Sequence, residues 1–126
     1  MRELTSHKVS GLNEALKIEV LDEPGQGNAC HLYGITSTEP RSADCPPAVT
    51  LPVRFQNGPI QEAGVNGISN QALLAIVEDR LLGFQSGQFA CRENAVALTK
   101  IQEAMMWLQK RTLDRLRRGV EGTNQK

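Results

Sequence analysis

The sequence predicts an α+β fold, with a small N-terminal antiparallel β-sheet followed by a C-terminal helical hairpin that contains one long helix. Two observations predict it. Between residues 15 and 56, short runs with strand-like alternation are separated by segments rich in Pro, Gly and Asp. Beyond Asn57 the apolar spacing changes to three and four residues, the period of a helix.

Residues 1–14 read as a flexible, polar lead-in, and 15–56 as the β-region. The first strand is expected over Ala15–Leu21, with Leu16, Ile18 and Val20 on one side. Asp22-Glu23-Pro24-Gly25 is a turn signal. A second strand is expected over Cys30–Thr36, then a loop over 37–48, then a third strand over Val49–Gln56. Pro52 assigns that last strand to an edge or a bulge, because proline cannot donate to a ladder.

The helical hairpin is expected over 57–123, after the turn signals Asn57-Gly58-Pro59 and Asn66-Gly67, with 124–126 as a tail. Ser69 is the expected N-cap of a helix running to Leu82 with Leu73, Ile76, Val77 and Leu81 as its apolar stripe, and Gly83 as its stop. After a connector at 83–89, a longer helix is expected from Cys91 to Arg118. Its seam is Leu98, Ile101, Met105 and Leu108. At 1.5 Å per residue that helix is roughly 42 Å long, about twice its partner. The shorter helix cannot cover it, so a homo-oligomer is expected.

Composition narrows the function. The chain has 126 residues, of which 40% are apolar, 22% charged and 4% aromatic: one domain of ordinary globular composition, with few rings for a base-stacking surface. No apolar run approaches the ~20 residues of a membrane span, and the N-terminal stretch has no secretory apolar core, so a cytosolic protein is expected. The net charge of zero conceals an asymmetry: residues 1–79 carry 5 basic and 10 acidic side chains, residues 80–126 carry 9 and 4. The basic half suits an anionic partner or a solvated helix face.

The sequence has little to catalyse with. It contains no P-loop, G-x-S-x-G or H-E-x-x-H motif. The three cysteines, Cys30, Cys45 and Cys91, form no C-x-x-C pair and imply neither a disulfide framework nor a zinc site. His7 reads as solvated and His31 as a strand-surface residue. No cofactor and no metal are expected.

It has more to bind with. Arg111 and Arg115 lie four apart on the long helix and Arg118 three further on, so all three share a side. They can grip a phosphate, or merely complement the helix dipole; the residues alone leave both readings open. Phe84 and Phe89 flank the connector, either as a plug or with one ring free to stack on a base. Asn94 could read a base edge or a ribose hydroxyl. Asn94 and Arg111 are 17 residues apart, about 25 Å along one helix. Two antiparallel copies would bring them to one ligand, which places the expected site at a subunit interface.

The runs FQNGPIQEAGVNG (55–67), GFQSGQFACRENAVALTK (83–100) and WLQKRTLDRLRRGVEGT (107–123) resemble the helical hairpin shared by two phage anti-defence families. These are the first-described Thoeris anti-defence family and the anti-CBASS cyclic-oligonucleotide sponge. The preceding strands resemble the Thoeris branch. The resemblance implies a non-enzymatic sponge that sequesters a cyclic ADP-ribose isomer made by a TIR-domain protein, with cyclic di- or trinucleotides as further ligands. It implies a dimer or hexamer in the host cytoplasm, with no membrane or nucleic-acid partner. It assigns Phe84, Asn94, Arg111 and Arg115 to the signal and makes Arg54 a candidate for a second nucleotide site. Gln88 departs from the family pattern, where proline is expected. A competing reading is a small helical nucleic-acid-binding protein using the basic helix end; the zero net charge weighs against it.

Overall fold

The computed structural model describes residues 2–9, 14–37, 49–120 and 122–123. It forms two compact units, Met1–Asn57 and Gly58–Lys126. The expected loop at 38–48 with its Cys45, residues 10–13 of the lead-in and the tail at 124–126 lie outside the described residues.

The first unit is an antiparallel sheet of four strands in sequence order: β1 (Arg2–Leu4), β2 (Leu16–Val20), β3 (Leu32–Ser37) and β4 (Val49–Arg54). Three of these fall where alternation places them. The fourth, β1, lies in the stretch read as a loose lead-in. Its three residues carry no apolar alternation, and pairing defines the strand: Arg2 stands opposite Val20 and Leu4 opposite Ile18. Ile18 pairs with Ile35 and Ile35 with Leu51, while Val20 pairs with Tyr33 and Tyr33 with Val53. Leu4, Ile18, Val20, Tyr33, Ile35, Leu51 and Val53 therefore share one face. Val20 is its buried centre, 1% exposed. Tyr33 meets Phe55 edge to face at 5.7 Å. Pro52 sits on the outer strand β4, where its missing donor costs the ladder nothing.

Both histidines are tied into this unit. His7, expected to be solvated, is half-buried, with Nε2 2.7 Å from the Leu16 carbonyl. His31 stands just before β3 rather than in it, and its ring packs against Gly25. The cause is Asp22, whose carboxylate accepts the amides of His31 at 2.9 Å and Leu32 at 3.2 Å and closes the loop before β3 can begin. The His31 amide holds the Asp22 carboxyl below its ordinary pKa, helped by the Leu32 amide. A lowered folded-state pKa adds stability above the unfolded value, lost as pH falls through the folded one. Amide exchange at His31 and Leu32 should therefore stay slow down to about pH 4 and accelerate below it. In Asp22→Asn this acid-dependent step should vanish.

The second unit holds α1 (Ile60–Ala63), α2 (Asn70–Gln85) and α3 (Arg92–Arg117). Ser69 caps α2 as expected, accepting the Ala72 amide at 3.1 Å. Gly83 does not stop α2, which continues to Gln85. Glycine costs a helix only about 1 kcal/mol relative to alanine. The ring contacts of Phe84, described below, hold the last turn. The connector is correspondingly shorter. Gln85 Oε1 accepts the Cys91 amide at 3.1 Å, and Cys91 Sγ caps α3 at the Asn94 amide.

The helix α3 has 26 residues against 16 in α2, roughly 39 Å against 24 Å. Leu98, Ile101, Met105 and Leu108 are half-buried along it. Met106, Trp107, Leu113 and Leu116 remain more than half exposed. Gly119, at φ +73°, ends the helix. The chain then returns so that the Gly122 carbonyl accepts the Gln61 amide of α1 at 3.2 Å.

Candidate functional site

The residues singled out from sequence fall into two clusters at opposite ends of the hairpin, with Arg54 in the other unit. Arg54 ends β4, exposed and paired with Leu32.

At the turn end, Phe84 is half-buried on the last turn of α2, not in a loop. Its ring meets Phe89 edge to face at 6.3 Å. The Arg80 guanidinium lies over it, 5.0 Å from the ring centre. The two phenylalanines pack on each other, as the plug reading requires, and Phe89 is still 66% exposed. Arg80 was not singled out from sequence, although its spacing of four from Phe84 is a helical cation–ring signal. Asn94 lies in the first turn of α3, half-buried, and its side-chain amide has no hydrogen bond among the described residues.

At the far end of α3, a groove of about 250 Å³ is lined by Trp107, Lys110, Arg111, Asp114, Arg115 and Arg118. The three arginines expected to share a side do so. Their states differ. Arg111 and Arg118 are exposed, and neither guanidinium makes a hydrogen bond or close ion pair among the described residues. Arg115 is 6% exposed, and its Nη2 donates to the carbonyls of Val120 and Thr123, each at 2.9 Å. Arg115 is thus turned onto the protein's own carbonyls, whereas Arg111 and Arg118 stay exposed. Gly119 turns the chain back over this face, so the guanidinium meets the carbonyls of the returning segment.

Asp114 sits among these cations. The hydrogen bond from Lys110, at 3.0 Å, holds its carboxyl below the ordinary value, with Arg117 at 3.5 Å and Arg118 adding to the effect. It is ionised at neutral pH, and Lys110 and Arg117 offset its charge. Among the described residues, no cluster of His, Cys, Asp or Glu could hold a metal ion, and no helix is long and apolar enough to cross a membrane.

Fold and site together define a class: a helical hairpin that follows an antiparallel sheet in the chain, with a groove lined by Trp107, Arg111 and Arg118 at the end of its long helix. The family model described as Acb2/Tad1, hairpin domain, matches residues 48–113, just over half the chain, and the chain belongs to that family. It is also 57% identical over 74 residues to Thoeris anti-defense 1 of Bacillus phage SBSphiJ7. That alignment takes in 59% of this chain and 52% of the relative, so the chain spans about half the length of the curated relative it matches. Arg54, Phe84, Asn94 and Arg111 lie inside the family match; Arg115 and Arg118 lie beyond it.

Proposed function

We propose that this protein is an anti-defence sponge acting in the host cytoplasm. It binds a cyclic ADP-ribose immune signal, withholds it unchanged from its effector and so blocks Thoeris immunity. Cyclic di- and trinucleotides, the signals of CBASS immunity, are its further ligands, with Arg54 at a second site. Membership in the hairpin family and the name of the phage relative support the anti-defence role. The observation that carries the binding reading is the pair of unengaged guanidiniums, Arg111 and Arg118, facing one groove. Such forks match the paired oxygens of a diphosphate.

The signal sits between two copies of the chain. Asn94 and Arg111 are held on one continuous helix, about 25 Å apart, so one chain cannot close both on one small ligand. Two antiparallel copies put the Phe84–Asn94 end of one beside the arginine end of the other. Light scattering at low micromolar concentration should give a dimer or a multiple of it; a 13.8 kDa species would refute the shared site.

Sequestration has a signature that turnover lacks. Free signal should fall in proportion to added protein and saturate at a fixed stoichiometry. Unfolding the complex by heat should return the signal intact and able to activate its effector. Linear ADP-ribose accumulating beyond the number of sites would make the protein an enzyme.

A further inference from the structure

The groove at the end of α3 carries an aromatic ring that the proposed site does not use. Trp107 is the single tryptophan of the chain and is 62% exposed. A large ring left in water is uncommon unless something covers it. Trp107 lines the same groove as Arg111 and Arg118, one helical turn before Arg111. It also lines a second groove of about 440 Å³ beside Met106 and Leu113. Among the described residues no cation and no second ring lies over its indole, in contrast with Phe84.

We propose that Trp107 is a base-stacking residue of the arginine groove, so that a purine nucleotide lays its base on the indole while its phosphates meet Arg111 and Arg118. This rests on the nucleotide-binding reading above and names the part of the ligand that this end of the helix recognises. Residues four apart on a helix stand one above the other, about 6 Å along the axis. A flat apolar surface next to a pair of cations therefore faces a base next to its own phosphate. Asp114 does not oppose this arrangement, because Lys110 and Arg117 compensate its charge. In a site shared by two copies, Phe84 from one chain and Trp107 from the other take the two faces of one base.

A single tryptophan makes the test direct. Wild-type protein is titrated with cyclic ADP-ribose and separately with inorganic pyrophosphate, following tryptophan emission and binding heat together. Cyclic ADP-ribose should quench the emission over the same concentrations that produce heat, while pyrophosphate binds without quenching. Trp107→Leu should bind cyclic ADP-ribose about tenfold more weakly or worse, the effect of one lost stacking contact. Its affinity for pyrophosphate and its mass by light scattering should not change, and Trp107→Phe should recover most of the loss. Saturable cyclic ADP-ribose binding that leaves emission unchanged would overturn the proposal. So would a Trp107→Leu protein of altered mass whose assembled sites keep full affinity, since the ring would then serve contacts between chains. If neither probe binds wild-type protein, the nucleotide reading falls, and this subsite with it. Should Trp107→Leu fail to fold, the wild-type emission titration decides alone.

Discussion

Arg115→Ala should lower the stability of the helical unit by about 2–4 kcal/mol, a loss typical of breaking a buried, charge-assisted hydrogen-bond network. The guanidinium is 6% exposed and bonds the carbonyls of Val120 and Thr123. Truncation leaves both acceptors without this donor and opens a void where the side chain ran. Against a total stability of about 5–15 kcal/mol, such a loss is large, and it corresponds to a melting temperature lower by on the order of 10 °C. Arg115→Lys should recover only part of it, because a single ammonium on a flexible stem lacks the rigid fork that spans both carbonyls. Thermal unfolding followed by circular dichroism measures the loss. Amide exchange at Gly122 and Thr123 should accelerate in parallel, since Arg115 anchors the return that the Gly122 carbonyl makes to Gln61. A variant that melts like wild type would show that the buried contacts carry no energy.

Arg111→Ala should do the reverse. Its side chain is exposed and free of hydrogen bonds and close ion pairs among the described residues, so stability should stay within about 0.5 kcal/mol. Ligand binding should fall by roughly 1.5–3 kcal/mol, about 10- to 150-fold, the usual contribution of a charge-assisted hydrogen bond to a phosphate. Calorimetric titration with a cyclic ADP-ribose isomer measures it. Unchanged affinity would remove Arg111 from the proposed clamp. The two arginines stand four residues apart on one helix face, and only the returning C-terminal segment separates their roles.

Much of the fold was legible in local pattern. Alternation located β2, β3 and β4, Pro52 marked the outer strand, and Ser69 marked the start of α2. These signals are short-range, and each side chain acts on backbone within a few residues. The strand β1 was not legible because its three residues acquire their conformation from pairing with β2, a contact 14 or more residues away. Gly83 does not end α2 for a related reason. Its propensity favours ending a helix, but Phe84 and Gln85 reach forward to Phe89 and Cys91 and draw one more turn into α2.

By itself, the sequence determined that three arginines share one side of a long helix, because a helical period assigns residues to faces without reference to anything else. It also determined that Asn94 and Arg111 lie too far apart to serve one small ligand in one chain. The tertiary structure decided which cations are available. Burial and hydrogen bonding depend on what the chain folds over a face: the return through Gly119 and Gly122 covers Arg115 and leaves Arg111 and Arg118 in the groove with Trp107. Periodicity places a side chain on a surface, and only the packing around it sets whether that surface meets solvent or the protein's own carbonyls.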